Sequence, residues 1–239
     1  MIYDNYIEWK KWNHDDFGKL MPGSRFHFQQ LFKGKLEKKS KILEIGFGNG
    51  ELLDYFRSKE HCIIGVEVNF ELVNRANNAG YLAYCGAVWD IPDLQTEKFD
   101  LIVAFAVAEH LTFQDLNKLF KWFENHLSGD GLVYLKFPEG SSPLALGYQN
   151  GDFTHVSCLT KTKVELLCCA SNMKLLSYKD ELLVSNKLCS FGLIGRVILV
   201  ALQWYSSLLK LLIRILLFPL STSLRLSTNS IVVITRALP

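Results

Sequence analysis

Two histidines and one aspartate lie in short polar segments, where their side chains could move a proton. His110 follows the apolar run FDLIVAFA within the segment AEHL, and His155 lies in NGDFTHVS, three residues after Asp152. An imidazole takes up or releases a proton near neutral pH, and a carboxylate can fix its orientation. We therefore predict His155, His110 and Asp152 as catalytic residues of general-base chemistry. A structural role stays open: Glu109 and His110 could cap a helix that enters at Leu111, and Asp152 and His155 could fix their loop.

A glycine-rich turn follows an apolar run at residues 43–51, LEIGFGNGE. Gly46, Gly48 and Gly50 lack a Cβ, so backbone N–H groups and the start of the next helix can approach a ligand closely. The spacing differs from the dinucleotide fingerprint, because Glu51 stands where that pattern has its third glycine. The turn predicts a ligand site of another kind.

Two carboxylates flank this turn. Glu44 stands two residues before the first glycine, and Glu67 ends the next apolar run, CIIGVEV. A carboxylate at the end of the second strand can accept hydrogen bonds from both hydroxyls of a ribose. Glu44 could meet a cationic group. The two residues together predict a ligand that carries a ribose and a positive charge.

Short apolar segments bounded by Gly, Pro or Asp must position these side chains. Such segments are typical of buried strands, and they occur at residues 41–46, 62–68, 81–86, 99–106 and 131–138. Segments with apolar residues at helical spacing lie between them, such as FQDLNKLFKWFENHL. Alternating strands and helices predict a parallel α/β sheet covered on both faces, which binds ligands at the carboxyl ends of its strands.

In these segments the chain resembles the class I methyltransferases that use S-adenosylmethionine. The resemblance covers residues 40–185 and rests on LEIGFGNG, GVEVN, GAVWDIP and FDLIVAFAVAEHL. It implies a Rossmann-like, doubly wound α/β fold with a seven-stranded mixed sheet, whose last strand is SIVVITRA at residues 230–237. It also implies S-adenosyl-L-methionine as the cofactor. The residues expected to bind it are Glu44, Gly46, Gly48, Gly50, Glu67, Val68, Ala87, Val88 and Phe105.

One residue departs from the family pattern. Many relatives have an aspartate for the adenine amine where this chain has Ala87. Adenine contacts would then fall to the backbone and to Val88, Trp89 or Asp90. The family's reaction is an in-line attack of an acceptor atom on the sulfonium methyl, for which a hydroxyl acceptor needs a base.

The resemblance also bears on metal use. Some metal-dependent relatives carry a further glutamate three residues before the Glu–His pair, and here that position is Ala106. We therefore predict no metal. Glu109, His110, Asp152 and His155 are suitable oxygen and nitrogen ligands, so a divalent ion stays an alternative.

Near its carboxyl end the chain contains a long apolar stretch, VILVALQWYSSLLKLLIRILLF, at residues 197–218. At helical spacing the polar residues form one stripe, which comprises Arg196, Gln203, Ser207, Lys210 and Arg214. A helix crossing a bilayer would bury Lys210 and Arg214 at a cost of about 2.5–3.5 kcal/mol each near its centre. We predict instead a helix over residues 196–218 that lies in the membrane surface and ends at Pro219. A buried or dimer-forming helix, a span, and a hairpin broken near Gly195 are the alternatives.

The chain of 239 residues is expected to form one domain. We predict an N-terminal helical cap at residues 1–39, in which Tyr3, Tyr6, Trp9, Trp12 and Phe17 recur at helical spacing. The cofactor-binding core follows at residues 40–185, then the apolar helical insertion at 188–228 and the last strand at 230–237. A formal net charge of +2 gives no reason to expect nucleic acid. The first residues lack a secretory h-region, which favours the cytoplasm. The predicted helix at residues 196–218 would add peripheral contact to the membrane.

Position on a membrane suggests an acceptor that resides there. LEIGFGNG together with GDFTHVS is similar to methyltransferases of bacterial polysaccharide pathways. We expect O-methylation of a sugar hydroxyl on a lipid-linked or cell-surface glycan. Quinone or phenolic-lipid O-methylation is the alternative reaction, and a non-catalytic, cofactor-binding membrane scaffold is the alternative class.

Overall fold

One seven-stranded sheet organises the chain in the computed structural model, which describes residues 6–13, 16–36, 39–181, 192–217, 225 and 227–237. The strands are β1 (Lys41–Ile45), β2 (Cys62–Glu67), β3 (Leu82–Cys85), β4 (Phe99–Phe105), β5 (Leu127–Pro138), β6 (Met173–Asp180) and β7 (Asn229–Arg236). Their order across the sheet is β3-β2-β1-β4-β5-β7-β6. Only the pairings of β7 with β5 and β6 are antiparallel among these strands. The predicted seven-stranded mixed sheet is therefore confirmed.

Helices connect the strands and cover the sheet. They are α1 (Tyr6–Lys10), α2 (Pro22–Leu31), α3 (Glu51–Arg57), α4 (Phe70–Asn78), α5 (Phe113–His126), α6 (Leu146–Asn150), α7 (Lys161–Ala170) and α8 (Gly192–Leu217). On β4, the side chains alternate between two buried clusters. Leu101 and Val103 join the cluster that contains Phe32, whereas Ile102 joins the cluster that contains Phe120 of α5. Both faces of the sheet are covered, as the uninterrupted apolar strands predict.

The turn after β4 differs from one predicted structural role of Glu109 and His110. A short 3-10 turn comprises Ala108–His110, and α5 begins only at Phe113. The N-cap of α5 is Thr112, whose Oγ1 accepts a hydrogen bond from the Asp115 amide at 3.2 Å. Glu109 and His110 therefore do not cap this helix, because a hydroxyl next to the first helical residue does so.

The aromatic N-terminal segment is less helical than its spacing predicts. α1 ends at Lys10, and the chain turns at Lys11, whose φ is 56°. Beyond this turn, Trp12 and Phe17 pack over the glycine turn. These aromatic residues therefore do not lie on one continuous helix, because the backbone bends at Lys11. Tyr3 lies outside the described residues.

The apolar insertion forms one continuous helix. α8 begins at Gly192 and passes Gly195 without a break, so the hairpin alternative is not supported. Its first eighteen residues are long and apolar enough to cross a membrane by length and composition, and almost none of that stretch is buried. The predicted stop at Pro219 lies outside the described residues.

A buried ionic cluster holds the returning chain next to the end of β5. Glu139, which is fully buried, accepts hydrogen bonds from the hydroxyls of Ser141 and Ser230. Arg225 Nε lies 3.3 Å from Glu139 Oε2. The segment that leads from the insertion into β7 is thus tied to the carboxyl end of β5, where a site is expected.

Candidate active site

A large cleft of about 1230 Å³ opens at the carboxyl ends of β1, β2, β3 and β4. Eight of the nine predicted cofactor residues line it: Glu44, Gly46, Gly48, Glu67, Val68, Ala87, Val88 and Phe105. Gly50 does not line this cleft. It is the N-cap of α3 with φ 76°, and a Cβ there would lie 2.7 Å from the Phe17 ring. Gly50 therefore shapes the turn and accommodates Phe17.

The glycine turn leaves its backbone open to the cleft. Gly46 and Gly48 have φ values of 71° and 52°, a region that side chains disfavour. A Cβ on Gly48 would also lie 2.8 Å from the Trp12 ring, and one on Gly46 would overlap Val107. Both glycines are required by backbone shape and by close packing.

Glu67 connects β2 with the glycine turn. Its Oε1 accepts hydrogen bonds from the amides of Val68 at 2.8 Å and Asn69 at 3.2 Å, and its Oε2 accepts one from the Gly48 amide at 3.2 Å. Burial raises the pKa of Glu67, and these three N–H donors oppose the rise. A carboxylate has about four lone-pair directions, so it can still accept from ligand hydroxyls.

Glu44 is a buried acidic residue with one side-chain oxygen that could bind a ligand. The side chain is only 6% exposed, and Oε2 has no hydrogen-bond partner within the described part of the chain. Burial raises its pKa well above the usual value, and the neighbouring charges of Glu67 and Glu51 raise it further. An acidic cluster of this kind, beside an open glycine turn, fits a ligand with a ribose and a cationic group. The large cleft thus has the donor and acceptor groups expected for S-adenosylmethionine.

A small cavity of about 320 Å³ adjoins the large cleft. Lys10, Ala106, His110 and Lys136 line both. The small cavity is also lined by Trp9, Glu109, Phe137, Pro138, Gly147, Tyr148, Gly151, Asp152, His155 and Asn229. All three predicted catalytic residues therefore lie around one space, and His110 stands at its junction with the large cleft.

A hydrogen-bond relay connects Asp152 to His110 through Thr154. The Thr154 hydroxyl donates to Asp152 Oδ1 at 2.6 Å, and its oxygen lies 2.9 Å from His110 Nδ1. Because the hydroxyl proton is directed at the carboxylate, this oxygen accepts from His110, so Nδ1 carries the hydrogen. The Thr154 carbonyl, 3.3 Å from Nδ1, requires the same tautomer. The lone pair of His110 is therefore on Nε2.

The relay differs from the predicted pairing of Asp152 with His155. His155 Nε2 lies 3.8 Å from Asp152 Oδ2, beyond hydrogen-bond distance, while both short bonds of Asp152 go to Thr154. The His155 ring packs edge-on against His110, with centroids 4.6 Å apart. Thr154 was missed from the sequence. Its position inside GDFTHVS was the available signal, but a hydroxyl in a polar loop is too common to single out.

Burial and neighbouring charges set the protonation of two groups in the small cavity. Burial lowers the pKa of His110, and the adjacent His155 lowers it further, so the imidazole is neutral at neutral pH. Burial raises the pKa of Glu109 to about 7. Glu109 is 2% exposed, and Oε2 has no partner among the residues that the structure describes. The small cavity therefore offers a neutral imidazole beside a carboxyl group that is partly protonated near pH 7.

Replacing Glu109 by Gln should stabilise the protein in a pH-dependent manner. Between pH 4.5 and about 7 the folded protein retains a proton on Glu109 that the unfolded chain has released, so rising pH disfavours folding of the wild type. The stabilising effect should grow through this window and level off above it at about 3 kcal/mol. Urea unfolding at pH 4.5 and pH 8 measures it. An equal effect of the substitution at both values would contradict the buried carboxyl.

Three of these groups could also hold a metal ion. Potential ligand atoms of Glu109, His110 and His155 lie within 4.8 Å of one another. Their types suit a transition metal. The relay through Thr154 leaves the Nε2 lone pair of His110 available either to a proton or to an ion. A metal-free site stays our prediction.

Comparisons with known proteins agree with this geometry. Residues 13–178 match the family described as "Methyltransferase domain". Two solved structures with similar folds are a SAM-dependent methyltransferase from Archaeoglobus fulgidus and a TehB-like SAM-dependent methyltransferase from Corynebacterium glutamicum. The first has 14% identity and a TM-score of 0.62 over 97% of this chain and 98% of its own. The second has 14% identity and a TM-score of 0.58 over 98% and 97%. No curated protein matches the sequence.

Proposed function

The chain belongs to the methyltransferase domain family, with S-adenosylmethionine as its expected cofactor, and from this premise we propose that it methylates a sugar hydroxyl of a lipid-linked or cell-surface glycan at the cytoplasmic face of the membrane. The observation that carries the choice of a hydroxyl is His110. Its Nδ1 is occupied by Thr154, and the side chain lines both the large cleft and the small cavity.

The residues of the large cleft divide the recognition of the cofactor. Glu67 would accept hydrogen bonds from the ribose, and Glu44 would meet the cationic part of the molecule. Ala87 and Val88 would lie against the adenine, with backbone contacts replacing the aspartate of many relatives. When bound, S-adenosylmethionine supplies a methyl group on a positively charged sulfur, which is the electrophile of the reaction.

The residues of the small cavity supply the base. A neutral hydroxyl is a weak nucleophile, and a base that removes its proton during attack contributes about 10²–10⁴-fold in rate. His110 would accept this proton at Nε2, and Asp152 would stabilise the resulting imidazolium through Thr154. Glu109, Lys136 and Asn229 add polar groups around the same space, which suits an acceptor with several hydroxyls.

Membrane contact rests on α8. Its apolar side chains are exposed, among them Trp204 at 76%, Tyr205 and Leu208. Exposed apolar side chains along a helix of 26 residues are unusual on a soluble monomer. We assign this helix to the membrane interface, where an amphipathic helix buries its apolar face.

The insertion is joined to the sheet beside the small cavity. Lys136 Nζ lies 3.1 Å from Glu181 Oε1, just after β6, and the Asn229 side chain donates to Glu181 Oε2 at 2.6 Å. Lys136 and Asn229 both line the small cavity. A membrane contact through α8 would therefore hold this cavity near the lipid surface.

Radiolabelled methyl transfer tests the proposal. Calorimetry first establishes whether S-adenosylmethionine binds; absence of binding would exclude an enzyme of this class. Membranes incubated with the protein and the labelled cofactor should then carry label in the lipid-linked glycan fraction. The label should survive mild base, because a methyl ether resists it whereas a methyl ester is cleaved. Label in a glycan-free quinone or phenol fraction would favour the alternative reaction, and binding without transfer would favour the scaffold.

Methyl transfer should persist in EDTA, and its loss would contradict the metal-free site.

A further inference from the structure

An exposed aromatic rim borders the small cavity. Trp9 and Tyr148 line the cavity, and more than half of each side chain is exposed. Phe153 directly follows Asp152, another lining residue, and is 96% exposed. We define these three residues as the rim. An aromatic side chain that stays almost fully in water contributes almost nothing to folding stability, and together with the other two exposed rings Phe153 forms a surface suited to a binding partner.

We propose that the rim rests in the lipid surface, and that the acceptor enters the small cavity directly from the bilayer with its lipid anchor left outside along the rim. This inference rests on the proposed function and deepens it, since it states how the acceptor is presented.

The size of the small cavity supports this arrangement. Its volume of about 320 Å³ is at the lower limit for small-molecule sites. It suffices for one compact polar group but not for a lipid chain as well. The remainder of a lipid-linked acceptor must therefore lie beyond the rim.

The surroundings of the rim are apolar. Leu144, Leu146 and Val156, in the same segment as Tyr148 and Phe153, are also more than half exposed. Asp152 is the only acidic or basic residue apart from His155 between residues 143 and 160. Its hydrogen bonds to Thr154 direct it inward, away from a lipid surface.

The residue types at the rim match the membrane interface. Trp and Tyr concentrate there because their rings are apolar while their N–H and O–H groups reach water. Lys10 lies beside Trp9, with Nζ 4.5 Å from the ring centroid, and Lys161 begins the helix after the apolar segment. Cations at the border of an apolar surface favour anionic lipids.

The position of α8 favours a bilayer as the occupant. β6, which precedes the insertion, ends at Asp180, and β7, which follows it, begins at Asn229 on the wall of the small cavity. The rim and the exposed helix are thus two separate apolar surfaces connected to one edge of the sheet. A lipid surface accommodates both at once.

Vesicle sedimentation tests the inference. The full chain is mixed with vesicles of phosphatidylcholine that contain phosphatidylglycerol, and binding is compared with Phe153→Ser and with Tyr148→Ser. Each substitution should weaken binding about tenfold, because each removes an aromatic side chain from the lipid. Leu166→Ser is the matched control, since Leu166 is exposed on α7 and lines neither the small cavity nor the large cleft, and it should bind as the wild type does. Calorimetric cofactor affinity verifies that each variant is folded.

A helix variant, Trp204→Glu with Leu208→Glu, separates the inference from the proposed function. Loss of binding in this variant with no effect at the rim would overturn the rim inference alone. A wild type that ignores vesicles would overturn both membrane statements, while retained cofactor binding would leave the methyltransferase intact. Sedimentation velocity tests whether the rim instead binds a second copy of the chain. A wild-type dimer that Phe153→Ser converts to a monomer would assign the rim to that contact and overturn the inference.

Discussion

Replacing His110 by Ala should lower turnover about 10²–10⁴-fold while leaving cofactor affinity within about twofold. His110 stands between the large cleft and the small cavity, and the relay from Asp152 through Thr154 leaves Nε2 as its proton acceptor. Single-turnover methyl transfer and calorimetry measure the two quantities separately. His61→Ala is the matched control, because His61 precedes β2 at the opposite edge of the sheet.

Variants of the relay distinguish its positioning role from a structural one. Thr154→Val keeps the side-chain volume but removes the hydroxyl that fixes the His110 tautomer, so turnover should fall about tenfold or more, in line with the loss of an oriented base. Thr154→Ser should restore most of the turnover.

In the wild type the pKa of His110 is lowered by burial and by His155. The rate should therefore not fall as the pH drops to the pKa of an ordinary imidazole, and it should fall only at lower pH, as imidazolium forms. Full activity of His110→Ala would exclude this base, and a rate governed by His155 instead would assign the role to its neighbour.

Much of this arrangement could be predicted from the sequence because it is dictated locally. Gly46 and Gly48 are required by backbone shape, and Glu67 ends a strand whose carboxyl end must lie at the ligand edge of a parallel sheet. His110 and His155 were placed together for the same reason, since both follow strands that end at one edge. Such inferences need only the order of strands along the chain.

Other features depend on contacts that no local pattern encodes. The sequence places Asp152 three residues before His155, yet the loop turns so that Thr154 donates to the Asp152 carboxylate and contacts His110, forty-four residues away in the chain. Trp12 and Phe17 cover the glycine turn because the chain bends at Lys11. The aromatic residues recur at helical spacing, so the sequence gives no sign of this bend. The resemblance placed Gly50 among the cofactor residues, and the structure adds a packing contact that no local pattern encodes, since a Cβ at Gly50 would meet the Phe17 ring.

Replacing Glu67 by Gln should weaken cofactor binding about a hundredfold with little change in turnover at saturating cofactor. Hydrogen bonds to a charged acceptor are worth about 1.5–3 kcal/mol each. Glutamine keeps one acceptor oxygen, so one of the two ribose hydroxyls would lose its acceptor. The amide also disturbs the protein, because Glu67 accepts N–H groups on both oxygens and a glutamine would direct its own N–H₂ at one of them.

Asp93→Asn provides the matched control for the Glu67 experiment, since it removes the same charge from an exposed position outside the large cleft. Its cofactor affinity should equal that of the wild type, which would attribute the loss in Glu67→Gln to the site and not to net charge. The free energy of unfolding separates two origins of the effect. Burial raises the pKa of Glu67, so neutralising it recovers desolvation energy that offsets the lost amide contacts. Near-wild-type stability with weak binding would identify Glu67 as a ligand residue. A loss of stability equal to the loss of binding energy would instead make it a support of the glycine turn.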